Sequence, residues 1–287
     1  MRQLIYIWKS FQLKIWNKRF FLFAALIFVI AWRVTVPMRH ISETYQYPVS
    51  GYLFPFLMCS FTFLAFFWFG VIYVGADAPY MQYVNMFQVI RTGRVEWTVG
   101  QIAGIILRSF LMTSWTAACA MFPVMGRLDL SPGWGKLLYT VAMTPGIEQQ
   151  YGLEYDVFYD ALTRFSPAGL MGLCILVTSL AVALVGMMMF VISLYAGRTA
   201  AVTCATGYTL ALFIVLNVIP QSRQRLAFFI PAIWPEVARI GTKSIGFYML
   251  PDIPYMLIVL TAGISGMSML ALYKIRTVEF SWENEDL

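Results

Sequence analysis

The sequence predicts an all-α polytopic membrane protein. Six transmembrane helices are expected, with an N-terminal interfacial helix before them and a short inner helix between the second and third spans. Three observations carry this. Of 287 residues, 60% are hydrophobic and only 12% charged, against roughly 25% charged in soluble domains. Mean hydropathy is +0.71 over the whole chain, which leaves too little polar surface to cover a water-soluble globule. The apolar residues also gather into six runs, 20–37, 51–74, 99–124, 168–194, 200–219 and 254–273, near the 17 to 25 residues or so that cross a hydrocarbon core of roughly 30 Å. Arg33 and Arg108 are the only charged side chains inside them.

The first 19 residues place Leu4, Ile5, Trp8, Phe11, Ile15 and Trp16 near one helical face, with Lys9, Lys14 and Lys18 mainly on the other. Such a helix lies in the inner interface, with its tryptophans at headgroup level and its lysines toward anionic lipid. Residues 20–287 then form the membrane domain. Arg2, Lys9, Lys14, Lys18 and Arg19 precede the first span and Arg39 alone among Lys and Arg follows it before the second, so the N-terminus is expected to be cytoplasmic. An even number of spans puts the C-terminus there too. A cleaved signal peptide is disfavoured, because the first run ends in Val-Thr-Val-Pro-Met with no small-x-small site. Arg33, near the outer end of this run, can snorkel to the interface.

The second run is crowded with phenylalanines, among them Phe61, Phe63, Phe66, Phe67 and Phe69. Some must meet lipid, and others are candidates to line an apolar path. Gly75 and Pro79 end the run, Asp77 can cap a new helix, and Gly93 can close that helix in a left-handed conformation. Between them Gln82, Asn85, Gln88 and Arg91 form a narrow polar stripe, while Met81, Tyr83, Val84, Met86, Phe87, Val89 and Ile90 fill the remaining surface. This helix, 79–92, is too apolar for water, and its residues alone fit a membrane-surface helix and a partner-docking helix equally well.

In the third run a central arginine, Arg108, costs about 2.5 to 3.5 kcal/mol to insert and must face other helices, water or a carbonyl. Anchoring of the third helix, with the stem reaching back toward Glu96, is the favoured reading over a part in a conduction path. Gly100 with Gly104, Ala201 with Ala205, and Ala262 with Gly266 have the small-x3-small spacing of close helix contacts. Outside the membrane, the acidic residues of 125–167 are spaced without calcium-loop order and read as solvated surface. The stretch Leu226 to Pro235 is apolar but interrupted by prolines, and is able to dip into the outer leaflet.

Several chemistries are excluded. The sequence holds no Gly-x4-Gly-Lys-Ser/Thr phosphate loop, no Cys-x-x-Cys and no His-Glu-x-x-His, and His40 is its one histidine, so neither ATP hydrolysis nor a histidine metal site is expected in this chain. No acidic residue lies in a span to relay protons or sodium. Cys59, Cys119, Cys174 and Cys204 all fall inside runs and imply no disulfide framework. The formal charge of +6 is spread around span ends rather than gathered into patches, which argues against nucleic acid.

The order of these elements, with the inner segment ending in IRTGRVEWTVGQ and the outer segment FFIPAIWPEV before the last span, resembles the permease subunits of ABC-2 type transporters, the type V exporter fold. The resemblance implies that 79–92 is a coupling helix, with Met81, Gln82, Asn85, Met86, Phe87, Gln88, Arg91 and Arg94 docking on a separate cytosolic ATP-binding subunit. ATP and magnesium would be bound there and not in this chain, which is then no enzyme itself. It further implies a second permease chain, the same or different, and a bacterial cell membrane. Because spans two and five usually line the central interface in this family, Phe63, Phe67, Thr209 and Phe213 become the candidate substrate path, for an apolar or amphipathic peptide, drug or lipid-like cargo. A 43-residue loop at 125–167 departs from the compact members. A non-transporting sensor or scaffold using the same inner helix, and a passive channel, are the competing expectations.

Overall fold

The computed structural model describes residues 17–78, 90 and 92–277. The interfacial helix and most of the inner helix expected above, including Met81, Gln82, Asn85, Met86, Phe87, Gln88 and Arg91, lie outside these residues. The chain is mostly helical. Four helices are long and apolar enough to cross a bilayer, giving the build of an all-α multi-pass membrane protein.

Helix α1 (Lys18–Tyr45) is N-capped by the Asn17 side chain, which accepts from the Arg19 amide. The sequence ends this element at Pro37, but the helix runs two turns further. Proline removes one donor and crowds the preceding turn, and the complete burial of Met38 and Ile41 offsets that cost. A short strand β1 (Val49–Ser50) and a single turn, α2 (Phe54–Leu57), precede α3 (Phe61–Gly75). The second apolar run is therefore not one helix from residue 51. β1 pairs in parallel with β2 (Leu128–Asp129), Gly51 lies where a Cβ would strike Leu130, and Ser60 caps α3 by accepting from the Phe63 amide. The 15 residues of α3 span about 22 Å.

Helix α4 (Arg94–Cys119) ends earlier than the third run and passes into a 3-10 turn at Phe122–Arg127. Gly93 is not the left-handed terminus of the preceding helix. Its φ of 86° and ψ of 156° fall in a region open essentially to glycine, and its carbonyl accepts from the Trp97 amide, so it begins α4. Three short helices follow, α5 (Gly135–Met143), α6 (Ile147–Tyr151) and α7 (Tyr159–Arg164). They bury Leu137, Leu138, Val141, Ile147, Ala161 and Leu162. The stretch 125–167 is thus a folded layer with its own apolar underside, and its acidic side chains, Asp129, Glu148, Glu154, Asp156 and Asp160, stay at least partly exposed as expected. Trp134 links this layer to Phe56 at 5.6 Å between ring centroids, and its indole donates to the Phe165 carbonyl.

The longest element, α8 (Pro167–Asn217), contains the fourth and fifth runs and is broken at Gly197, with φ 88° and ψ 172°. Contacts to α3 show that the chain reverses there. Before the break, Met189 lies against Gly75 at the end of α3; after it, Arg198 donates to Ala76 and Phe213 meets Phe61 at the start of α3. Helix α9 (Pro220–Ala227), two 3-10 turns at Pro231–Ile233 and Val237–Arg239, and the hairpin β3 (Lys243–Ser244) and β4 (Phe247–Tyr248) lead to α10 (Ile253–Lys274).

The bundle has two ends. A base carries the starts of α1 and α4 and the ends of α3 and α10. A cap is made by 46–60, 120–166 and 218–252. Close helix contact is made by Gly70 against Phe23, Gly186 against Ile105 and Gly263 against Leu184. Within the described residues Gly104 and Gly266, singled out by spacing, have nothing within 4 Å of where a Cβ would stand.

Candidate functional site

At the base, the described chain stops at Ala78 and resumes fully at residue 92, so both attachment points of the 79–92 segment are visible. The Asp77 carboxylate sits 2.7 Å from Arg19 and 3.6 Å from Arg198 and accepts from the Asn17 side-chain amide at 3.2 Å. Arg198 also donates from Nε to the Ala76 carbonyl at 2.7 Å. One acidic side chain therefore fastens the end of α3 to the start of α1 and to the reversal in α8. At the other attachment point, Arg94 donates to the Arg276 carbonyl just past α10, and Lys274 lies over the Tyr195 ring at 4.9 Å. Local sequence places these groups. Gly197 permits the turn that presents Arg198, and the Asn17 cap fixes the first turn of α1 that holds Arg19.

Of the residues expected to line a path, Phe63 and Phe67 are fully buried inside the single chain, Phe67 against Trp68 and Phe23. Thr209 is buried, its hydroxyl donating to the Ala205 and Thr206 carbonyls, and Phe213 is half-buried against Phe61. The uncovered face of α3 carries Phe61, Phe66, Phe69 and Tyr73. Arg108 is buried on α4. Arg33 reaches the cap and pairs with Glu154 at 3.4 Å. Cys59, Cys119 and Cys174 are buried and Cys204 is exposed, all as free thiols.

The cap holds a charge cluster that was not singled out from the sequence. Glu236, 1% exposed, faces Arg223 at 3.3 Å and Arg239 at 3.2 Å. Arg239 further donates to the Cys59 carbonyl and lies over the Phe158 ring. The cluster pins the 231–239 segment to the α2–α3 turn. That segment enters the bundle: the Trp68 indole, midway along α3, donates to the Ala232 carbonyl at 2.9 Å, and the Cys174 thiol donates to the Pro235 carbonyl. Irregular backbone at this depth is tolerated because it is buried in protein rather than exposed to lipid. The Ala232 and Pro235 carbonyls of this segment thus face the protein interior.

No family model, no curated protein and no solved structure matches this chain.

Elsewhere in the cap, burial and the neighbouring Asp156 push the Glu148 carboxyl above its ordinary range, while the Val157 amide donates to it. At the exposed end of α1, the Arg39 hydrogen bond holds Glu43 below that range. Among the described residues no group of three metal-ligating side chains occurs. The base cluster suits mechanical coupling between helices. It offers no nucleophile or paired acid and base for covalent chemistry.

Proposed function

We propose that this chain is the transmembrane permease subunit of an ATP-driven exporter of the ABC-2 type. On this reading it crosses the membrane six times: the four long apolar helices contribute five crossings, α8 counting twice across Gly197, and α3 with its apolar lead-in contributes the sixth. The observation that carries the proposal is the anchoring of both ends of the 79–92 segment. Asp77 ties one end to α1 and α8, and Arg94 ties the other to the end of α10. A push on that segment by a nucleotide-driven partner would reach every long helix. A separate cytosolic ATP-binding subunit supplies that push and binds ATP and magnesium, and Met86 and Phe87 are the apolar anchors that dock on it.

The interior around Phe23, Phe63, Phe67 and Phe190 is filled, which favours a path between two permease chains over one through a single chain. In that arrangement the cap faces outward, both termini are cytoplasmic, and the cargo is apolar or amphipathic. The test is affinity purification of the tagged chain from its native membrane, followed by ATPase measurement. An ATP-binding subunit should accompany the chain, and Phe87→Asp together with Met86→Asp should reduce its recovery by roughly tenfold or more, as loss of central apolar anchors does. Normal recovery and ATPase activity with both changes would overturn the docking role.

A further inference from the structure

Helix α9 sends its two arginines in opposite directions. Arg223 turns inward and is neutralised by Glu236. Arg225 turns outward to line a cavity of about 550 Å³, together with Gln221, Gln224, Phe228, Phe247 and Tyr255. Among the described residues no carboxylate pairs with Arg225, and neither glutamine side chain has a hydrogen-bond partner. The residues 221, 224, 225 and 228 follow helical spacing and share one face, so three solvent-accessible polar side chains stand together at the rim of an aromatic floor. That floor is firm: the Tyr255 hydroxyl donates to the Phe228 carbonyl, and their rings meet edge to face at 5.0 Å.

The position in the bundle limits the ligand. The cavity lies where α8 ends and α10 begins, at the cap ends of two apolar helices, and Ile219 and Phe229 stand exposed at its margin. With the long helices crossing a bilayer, such helix ends stand near the level at which headgroups meet acyl chains and where aromatic and cationic side chains collect. A guanidinium and two primary amides offer donors to phosphate oxygens, and the rings offer an apolar surface below them. The size is within the roughly 300 to 1,000 Å³ of small-molecule sites.

We propose that this cavity is a binding site for an anionic phospholipid of the cap-side leaflet, its phosphate held by Arg225 and the glutamine amides and its upper acyl chain lying on Phe228, Phe247 and Tyr255. The proposal does not depend on the permease reading. It is tested with the full chain in nanodiscs of phosphatidylcholine containing a minor fraction of phosphatidylglycerol, by native mass spectrometry of retained lipid. One phosphatidylglycerol per chain should be held selectively. Arg225→Gln should weaken its retention by roughly tenfold, as loss of a charge-assisted hydrogen bond does. Gln224→Glu should weaken it as well by repulsion, while Lys136→Gln, which removes a cap charge elsewhere, should not. The melting temperatures of Arg225→Gln and Gln224→Glu should match the parent, since among the described residues neither side chain makes a hydrogen bond or ion pair within the protein. Equal retention of the two lipids, unchanged retention in Arg225→Gln, or displacement by water-soluble glycerophosphate at millimolar concentration would each overturn the proposal, the last by showing a soluble-phosphate site in place of a lipid one.

Discussion

Glu236 faces two arginines because burial leaves a carboxylate no alternative. Two guanidiniums at 3.2 and 3.3 Å replace the water it has lost, and removing a partner from such a buried pair typically costs about 3 to 5 kcal/mol. Glu148 shows the opposite balance. It is partly buried, with one amide donor and an acidic neighbour, so its charged form is disfavoured in the fold. A carboxyl whose folded pKa is raised imposes no penalty while it is protonated in both states. The penalty grows as pH rises from the ordinary carboxylate value, about 4.3, through the raised folded one. Glu148→Gln keeps the carbonyl that accepts from Val157 and cannot ionise. Thermal unfolding at a series of pH values should therefore show the variant gaining on the parent as pH rises through that window and holding its advantage above it; an advantage that shrinks would contradict the burial argument. The sequence offered part of this detail. Glu236 and Arg239 are three residues apart and readable as a local pair, but Arg223 joins them only through the fold.

At the level of elements, apolar runs were legible and their boundaries were not. Lipid-facing and core-facing surfaces both select apolar residues, so a run such as 51–74 reads alike whether it is one helix or a turn followed by a helix. Gly51, Pro55 and Ser60 were the available punctuation, and the β1–β2 pairing that fixes the turn is made with residues nearly 80 positions away. The reversal in α8 is similar. The sequence placed a short connection at 195–199, and the structure reduces it to one residue, Gly197, in a conformation that costs other residues about 1 to 3 kcal/mol. Gly197→Ala should lower stability by that amount in thermal unfolding. Gly207→Ala, in the helical arm beyond, has open space at its Cβ and should be neutral or stabilising by up to about 1 kcal/mol. If the two substitutions behave alike, the strain assigned to Gly197 is absent.

For the whole molecule, the fold class followed from composition and run length, while the two tie points came from contacts far apart in sequence. Asp77 is 58 positions from Arg19 and 121 from Arg198, and no spacing rule links them. What the sequence did offer was an acid at the end of an apolar run and basic residues at the ends of two others. Asp77→Asn keeps an acceptor for Asn17 and loses the charge that holds both arginines, for an expected cost of about 1 kcal/mol in this partly exposed setting. In a double-mutant cycle read by thermal unfolding, adding Arg19→Gln should cost less than it does in the parent, because the shared bond is already gone and only its contact over the Tyr73 ring remains, whereas adding Arg39→Gln at the far end should be additive. Full additivity of the first pair would show that the base contact contributes nothing. The single-residue reversal also restricts how the bundle can move. With no slack between them, the two legs 167–196 and 198–217 cannot slide past each other without unwinding a turn, at about 0.5 to 1.5 kcal/mol for each backbone bond lost. Relative motion of the two legs is thereby confined to pivoting about Gly197, the one residue whose φ and ψ can change without breaking either helix.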